Sequence, residues 1–251
     1  MVKTFKICIP SLTGEKKRKA YVYLPTNYYK CPKKRFPVLY MFDGHNLFSD
    51  KEATFGKCWG LADYLDYTNT EIIVVGVECN TVGNGRLSEY SPLNFTMPNG
   101  DKIKGQGKKY MDWLVGDFKG LIDKRFRTLK DRNNTFIGGS SMGGLMTLYA
   151  ISKYNKYFCK GAALSPSLWI KGQEVLPFIK TGKFDVDTTV YMDYGSNEFC
   201  NHEAQRVAFF NTATALGNTG VFVTARVVPY GNHSESSWER QVPIFFKVLG
   251  F

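Results

Sequence analysis

The sequence predicts an α/β protein in which a mostly parallel central sheet is flanked by helices. Short runs rich in β-branched and aromatic residues recur along the chain, and stretches of helical length and period separate the later runs. Strands that alternate with helices usually lie parallel in one sheet. The chain has 251 residues, of which 43% are hydrophobic, enough to bury one large core. We therefore expect a single domain spanning residues 1–251.

The individual elements follow from the same patterns. The first ten residues alternate polar and apolar side chains, which is typical of a strand, and an antiparallel hairpin is expected there. Further strands are predicted at residues 20–24, 38–42, 72–77, 135–137, 161–164, 189–192 and 221–228. Helices are predicted at residues 110–125, 143–154, 203–216 and 236–249. Residues 81–107 have no clear period and many Gly, Pro, Asn and Ser residues, so they predict a long functional loop.

The net charge of +11 at pH 7 comes partly from short basic runs at residues 16–19, 33–35 and 108–109. Such short runs are typical of solvated turns, and attraction to an acidic surface or polysaccharide is the alternative. No nucleic-acid-binding module accompanies them, so the sequence predicts no nucleic-acid partner.

The N-terminal residues lack the continuous apolar run of a signal peptide, and no stretch is long enough for a transmembrane helix. We therefore expect an intracellular protein that does not bind a membrane. A catalytic module of a longer secreted enzyme is the alternative. The six cysteines show no C-x-x-C spacing and hence no zinc or redox motif. Most are expected to be small buried side chains, and a disulfide stays open.

The segment 135–145 carries the most informative motif. It contains G-x-S-x-G with Ser141 at the centre, directly after a predicted strand and directly before a predicted helix. A sharp turn of this kind lifts a serine hydroxyl out of the sheet at a helix N-terminus, where the helix dipole favours developing negative charge. A glycine-rich turn with a serine cap is the structural alternative. Ser140 is the rival nucleophile, but it stands one place early in the pattern, and we predict Ser141.

A serine hydroxyl needs a general base to become a good nucleophile, and the sequence holds three histidines. When the serine lies on such a turn, the acid and then the histidine follow it along the chain, which excludes His45. His202 begins a predicted helix, where an exposed histidine is the usual case. His233 follows the last predicted strand, and Gly231 and Asn232 suit a turn that presents a side chain at the carboxyl edge of the sheet. We predict that His233 is the base.

Two carboxylates compete for the third position of the triad. Asp193 closes the penultimate predicted strand, whereas Glu198 lies past the turn at Gly195, on the loop that faces the same edge. A carboxylate at a strand end can instead cap its own turn through backbone N–H groups. We predict that Glu198 orients the histidine, a role in which glutamate is an accepted variant.

Attack by such a serine on a carbonyl group also needs hydrogen-bond donors for the oxyanion. The backbone N–H of Met142, the residue after the nucleophile, supplies one of them. The second is expected from residues 42–48, which follow an earlier strand, because Gly44 permits a tight turn. His45 would then contribute its backbone N–H, while its imidazole either borders the pocket or has a structural role.

Four separated segments, residues 43–48, 138–145, 165–169 and 231–238, resemble in the same order the motifs of the "putative esterase" family. That family includes esterase D (S-formylglutathione hydrolase), siderophore trilactone esterases, mycolyltransferases, and feruloyl and acetyl-xylan esterases. The resemblance runs from about Tyr21 to the C-terminus. It implies the α/β-hydrolase fold without a metal or organic cofactor. It also implies Glu198 as the acid, at the last position of D-x-G-x-x-[DE], and the backbone of His45 in the oxyanion loop.

The substrate class is the least determined part of the prediction. A small-molecule or glycan ester is expected, with feruloyl or acetyl esters of a carbohydrate first. Siderophore esters and small thioesters come next, and acyl transfer to a sugar would use the same triad. A non-catalytic binding module is disfavoured by the intact triad. Four aromatic residues near the predicted loops suit a phenolic acyl group or a sugar face, with core packing as the alternative. They are Trp59, Tyr90, Trp169 and Trp238.

Charged side chains also occur in the long irregular segment. Arg86 and Glu89 lie three residues apart there. They are expected either to pair with each other and hold the loop over the pocket, or to be exposed charges.

Overall fold

The structure is a computed structural model that describes residues 1–170, 172–198 and 203–251. The expectations for His202 and Cys200 lie outside these residues. The chain divides into two compact units, residues 1–136 (the N-terminal unit) and residues 137–251 (the C-terminal unit). The single domain expected from the sequence stays a prediction.

Four strands form a sheet in the N-terminal unit. The expected hairpin consists of β1 (Val2–Ile9) and β2 (Gly14–Tyr23), joined by the single-turn helix α1 (Pro10–Thr13). Two further strands, β3 (Val38–Met41) and β4 (Ile73–Val77), pair in parallel, and β4 also pairs antiparallel with β2. The order is β1-β2-β4-β3. Every residue of β3 and β4 is buried, which explains why both are continuous apolar runs.

The α-helices that follow α1 in the N-terminal unit are also short. They are α2 (Leu61–Tyr67), α3 (Gly85–Glu89), α4 (Gly107–Trp113) and α5 (Lys119–Arg125). A π-helical turn at Leu114–Phe118 links α4 to α5, so the predicted helix 110–125 is present but distorted in the middle. The predicted loop 81–107 holds α3 and a two-stranded ribbon of β5 (Phe95–Thr96) and β6 (Lys102–Ile103).

The C-terminal unit alternates strands and helices, as the sequence predicts. β7 begins at the end of the N-terminal unit and runs into this one. The elements are β7 (Thr135–Ser140), α6 (Met142–Lys153), β8 (Lys160–Leu164), α7 (Gly172–Lys180), β9 (Thr189–Gly195), α8 (Glu203–Gly217), β10 (Phe222–Val228), α9 (Glu235–Glu239) and α10 (Val242–Leu249). The strand order is β7-β8-β9-β10, and β9 pairs in parallel with both neighbours. Helix α7 was not predicted.

This topology determines where the candidate residues meet. The carboxyl ends of parallel strands share one edge of a sheet, and loops at that edge carry ligand-binding residues in α/β proteins. Ser141 directly follows β7, Glu198 follows β9 and His233 follows β10. Helix α6, which starts after Ser141, is buried from Met142 to Ser152, so the serine is attached to a rigid core element.

Two expectations about the whole chain can be examined in the described residues. None of the described helices is long and apolar enough to cross a membrane. The described cysteines are all free thiols, so no disulfide forms among them. Cys58, Cys79 and Cys159 are buried, whereas Cys8 and Cys31 are partly exposed.

Candidate active site

Ser141 occupies a strained turn between β7 and α6. Its backbone has φ 57° and ψ −120°, a conformation that side-chain-bearing residues rarely adopt. Hydrogen bonds within the C-terminal unit hold this turn. The Ser141 N–H donates to the carbonyl of Leu164 over 2.9 Å. The Ser141 carbonyl accepts bonds from the N–H groups of Leu145 and Ser167, both at 3.0 Å. These three backbone hydrogen bonds hold Ser141 in its strained conformation and so fix the position of its hydroxyl.

The imidazole of His233 contacts both other residues of the predicted triad. Its Nε2 lies 2.9 Å from Ser141 Oγ, and its Nδ1 lies 3.0 Å from Glu198 Oε2. A carboxylate can only accept, so Nδ1 carries the proton and donates it to Glu198, which leaves Nε2 free to accept from the serine hydroxyl. The arrangement can therefore remove a proton from Ser141.

Glu198 is buried, with 1% of its surface exposed, and its second oxygen is also bonded. Oε1 accepts the backbone N–H of Gly195 over 2.9 Å and the hydroxyl of Ser165. A buried carboxylate is costly unless hydrogen bonds replace its hydration, and these donors do so. Both oxygens of Glu198 are thus held, which leaves Oε2 directed at His233.

Asp193, the competing carboxylate, lies in β9 and bonds elsewhere. Its Oδ1 accepts the backbone N–H of Ser165 over 3.0 Å, and its Oδ2 accepts the hydroxyl of Tyr191 over 2.9 Å. The sequence suggested that Asp193 would cap its own turn; the backbone group it binds belongs instead to the loop after β8. Burial and the charge of Glu198 raise the pKa of Asp193 to about 7, although its two hydrogen bonds oppose the shift.

The loops after β9 and β10 approach each other closely at Gly195. The Asn197 N–H donates to the Gly231 carbonyl over 2.9 Å, and the Ser196 N–H donates to the Val228 carbonyl over 2.9 Å. A Cβ on Gly195 would lie 2.5 Å from the Gly231 oxygen and 2.9 Å from Glu198 Oε1. Glycine is therefore required at this point for the acid and the histidine to meet.

The two predicted oxyanion donors lie in different units. Met142 is the first residue of α6, where a backbone N–H has no intrahelical acceptor. His45 lies in a 3₁₀ turn of the N-terminal unit and is buried there; its Nε2 is 2.8 Å from Thr54 Oγ1. The role of the His45 N–H stays a prediction from the sequence.

Three buried side chains of the N-terminal unit are of the type that binds metals: Asp43, His45 and Cys79, whose ligand atoms lie within 4.8 Å of one another. However, Arg86 donates from Nε and Nη2 to the two oxygens of Asp43, each over 2.8 Å. Burial alone would raise the pKa of Asp43, but the Arg86 charge outweighs it and holds that pKa below the ordinary value. Burial also raises the pKa of the Cys79 thiol, which disfavours a thiolate ligand. The cluster is better described as a partly buried ion pair beside His45 and Cys79 than as a metal site.

This ion pair corrects one expectation. Arg86 pairs with Asp43, not with Glu89. Glu89 pairs with Arg18 in β2, at 2.7 Å and with both side chains buried. Arg86 and Glu89 thus each form an ion pair, but with partners distant in the chain and not with each other.

The four aromatic residues proposed to line the site differ in exposure. Tyr90 and Trp59 are buried in the N-terminal unit, at 0% and 2% exposure, and Trp238 is buried at 5%. Trp169 is 36% exposed. Burial argues against direct substrate contact for the first three, because a side chain without accessible surface has no face to offer a ligand. The core-packing alternative describes them better.

Three residues near the triad have contacts that the sequence did not predict. Ser165 and Ser167 were not predicted as site residues, and Trp238 was predicted to contact substrate. Ser167 Oγ lies 3.2 Å from Ser141 Oγ. Ser165 Oγ bonds Glu198, and it also accepts the indole N–H of Trp238 over 2.9 Å. The signal available in the sequence was the segment 165–169, which the family resemblance included without assigning a role to either serine.

A sequence model described as "putative esterase" matches residues 11–248. The chain belongs to this esterase family. Among curated proteins, it is 26% identical over 184 residues to the uncharacterized protein YbbA of Bacillus subtilis, a match covering 72% of this chain and 69% of YbbA.

Solved structures with the same fold include several hydrolases. An IroE-like serine hydrolase from Shewanella oneidensis has a TM-score of 0.76 at 19% identity, covering 99% of this chain and 79% of that one. A ferulic acid esterase has a TM-score of 0.68 at 19% identity, covering 100% and 98%. The siderophore hydrolase EstB from Aspergillus nidulans has a TM-score of 0.72 at 18% identity, covering 97% and 93%. The predicted α/β-hydrolase fold is confirmed, and the esterase is a carboxylic ester hydrolase.

Proposed function

We propose that this esterase cleaves carboxylic esters through a triad of Ser141, His233 and Glu198 and a covalent acyl-enzyme. The observation that carries the proposal is the pair of contacts made by one imidazole, 2.9 Å to Ser141 Oγ and 3.0 Å to Glu198 Oε2. A nucleophile, a base and an orienting carboxylate at these distances are what acyl transfer by serine requires.

The reaction proceeds in two steps. Ser141 Oγ attacks the ester carbonyl carbon while His233 Nε2 takes the hydroxyl proton, and that proton then passes to the departing alkoxide oxygen. The result is a Ser141 ester and a free alcohol. Water attacks the acyl carbon in the second step, with His233 again accepting and then returning a proton, and the free carboxylic acid leaves. Glu198 stays ionised and stabilises the imidazolium that forms in both steps.

Negative charge on the substrate oxygen is stabilised at the start of α6. The Met142 N–H lies directly after the nucleophile and has no helical acceptor, so it is available as an oxyanion donor. The positive end of the α6 dipole adds to this stabilisation.

We propose feruloyl or acetyl esters of carbohydrates as the substrate class. Support comes from the family, in which such esterases occur, and from the fold shared with a ferulic acid esterase. Trp169, the exposed member of the aromatic set, offers a ring face to a phenolic or sugar group.

A siderophore ester is the second candidate, because a specific observation favours it. The chain carries a net charge of +11, and a positive surface attracts anionic ligands such as catecholate esters. A siderophore hydrolase shares the fold as well.

A side-by-side hydrolysis assay tests both. The substrates are p-nitrophenyl acetate, methyl ferulate, acetylated xylan and a trilactone siderophore, each with wild type and Ser141→Ala. We expect the largest kcat/KM on methyl ferulate or acetylated xylan, and none with the variant. A largest value on the siderophore would select the second candidate. Product appearing on an added sugar in place of free acid would identify an acyltransferase.

A further inference from the structure

The hydroxyl of Ser165 connects Trp238 to the predicted triad acid. Its Oγ accepts the indole N–H of Trp238 over 2.9 Å and donates to Oε1 of Glu198. All three residues are buried, with 1% of Ser165, 5% of Trp238 and 1% of Glu198 exposed. The contacts therefore form in a medium of low dielectric, where hydrogen bonds are strong and directional.

The direction of these bonds is determined by chemistry. An indole N–H can only donate, so the lone pair of Ser165 Oγ must accept it. Serine has a single hydroxyl proton, which is then left to point at Glu198. Trp238 thereby occupies one acceptor lone pair of Ser165 Oγ and fixes the hydroxyl in an orientation in which its proton is donated to the carboxylate.

Trp238 acts on the same triad from a second side. Its ring meets the His233 ring edge to face, with centroids 5.1 Å apart and an interplanar angle of 83°. The imidazole is thus bonded to Glu198 on Nδ1 and packed against the residue that orients Glu198 through Ser165.

We propose that Ser165 and Trp238 are positioning residues of this esterase. Trp238 orients the Ser165 hydroxyl, Ser165 holds Glu198 Oε1, and Glu198 Oε2 is thereby kept on His233. This inference rests on the proposed triad. It assigns Trp238 a role different from the substrate contact expected from the sequence, since a buried indole bonded to Ser165 faces the acid and not a ligand.

The test compares three variants on p-nitrophenyl acetate: Ser165→Ala, Trp238→Phe and the double variant. Ser165→Ala removes a bond to a charged group, and we expect kcat to fall about tenfold. Trp238→Phe keeps a six-membered ring beside His233 and removes the donor together with part of the indole volume, so kcat should fall about threefold. KM should stay within about twofold for both, because both residues are buried.

The double variant tests the proposed relay, in which Trp238 acts on Glu198 through Ser165. If Trp238 acts through Ser165, the second substitution has nothing left to orient, and kcat should equal that of Ser165→Ala within about twofold. Trp113→Phe is the matched control. Trp113 is buried to the same 5% exposure and stacks on Phe118 in the N-terminal unit, so this variant loses an equal volume and should keep wild-type kcat.

Ser141→Ala and Glu198→Gln, measured alongside, distinguish the two ways of failing. If both keep activity, the triad is wrong and the relay falls with it. If both abolish activity while Ser165→Ala and Trp238→Phe keep wild-type kcat, the triad stands and the relay is overturned. Additive losses in the double variant, or a raised KM at unchanged kcat, would also overturn it. Should Ser165→Ala fail to fold, the kcat of Trp238→Phe against that of Trp113→Phe decides.

Discussion

The Nδ1 atom of His233 lies 3.0 Å from Oε2 of Glu198, and not from Asp193, the competing carboxylate within β9. Asp193 instead binds Ser165 and Tyr191. Of the two neighbouring carboxylates only Glu198 therefore contacts the imidazole, and substitutions that keep the shape of each side chain should separate their roles.

Glu198→Gln and Asp193→Asn form the matched pair. Glu198→Gln removes the charge opposite the imidazolium and the preference for a proton on Nδ1, so kcat should fall by orders of magnitude, about 10³ to 10⁴. Asp193→Asn can keep both bonds, with its amide oxygen accepting from Ser165 and its NH₂ donating to Tyr191, so kcat should stay within about threefold. Steady-state kinetics on p-nitrophenyl acetate measures both. Loss of activity in the Asp193 variant alone would reverse the assignment.

Ser141→Ala should abolish ester hydrolysis and leave the melting temperature close to that of wild type. Removal of a triad nucleophile typically costs several powers of ten in kcat. Ser140→Ala is the control, because Ser140 ends β7 next to the nucleophile and should be dispensable for chemistry. Labelling with a fluorophosphonate probe, followed by peptide mapping, should place the adduct on Ser141. An adduct on Ser140 would refute the proposal.

Patterns local in the chain predicted most of the C-terminal unit. Alternation and helical period located β7 to β10, α6 and α8 within a few residues. The predicted helix 236–249 is divided in the structure into α9 and α10. The glycines at residues 138–139 hid the last part of β7, which continues to Ser140. Helix α7 contains Pro177 and was missed for that reason.

Features that depend on distant contacts could not be predicted. The sequence shows that Trp238 is aromatic and follows the predicted base, but the burial of its side chain depends on the strands and loops packed around it. The partners of Arg86 illustrate the same limit. Asp43 is 43 residues away in the chain, whereas Glu89, the expected partner, is nearby but binds Arg18. Tertiary packing selected these pairs, and no local pattern encodes them.

The buried carboxyl of Asp193 should make stability depend on pH. Its pKa is about 7 in the folded protein, against an ordinary value of 3.8. Between these values the folded state holds a proton that the unfolded state has lost, so the free energy of unfolding contributed by this group decreases as pH rises from about 4 to about 7. Asparagine cannot titrate. Asp193→Asn should therefore gain stability relative to wild type across this range, by a few kcal/mol at most.

Urea unfolding of both proteins at several pH values measures the difference. We expect the free energy of unfolding of Asp193→Asn, relative to that of wild type, to increase as pH rises. A variant that loses stability relative to wild type as pH rises would mean that Asp193 is ionised in the folded protein and stabilised by its donors.

Gly195→Ala should reduce activity by forcing the acid and histidine loops apart. Its Cβ would meet the Gly231 oxygen at 2.5 Å, and a backbone atom in a bonded loop cannot move away cheaply. We expect kcat to fall at least about tenfold, because small displacements of a triad are costly. Gly217→Ala is the control: no atom lies within 4 Å of the added methyl, so wild-type activity is expected, with unchanged or slightly raised stability. Wild-type kcat in Gly195→Ala would show that the loops tolerate the methyl group.

Arg86→Ala should destabilise the protein through Asp43. Asp43 has 7% of its side chain exposed, and Arg86 supplies both of its charged bonds. Removing the arginine leaves a buried carboxylate without its counter-charge, which costs more than the ion pair itself contributes. Because Arg86 is 30% exposed, water will reach the site in part, and we expect a loss of about 2 kcal/mol in the free energy of unfolding.

The exposed pair between Lys108 and Asp112 provides the comparison for that loss. Their side chains are 73% and 50% exposed, so Lys108→Ala should change the free energy of unfolding by less than about 0.5 kcal/mol. The double variant Arg86→Ala, Asp43→Asn should recover part of the loss, because it removes the orphaned charge. Chemical denaturation at constant pH measures all of these variants. If the double variant is less stable than Arg86→Ala alone, the cost does not come from the unpaired carboxylate but from lost packing of the arginine, whose guanidinium lies 5.5 Å from the centroid of the Tyr90 ring.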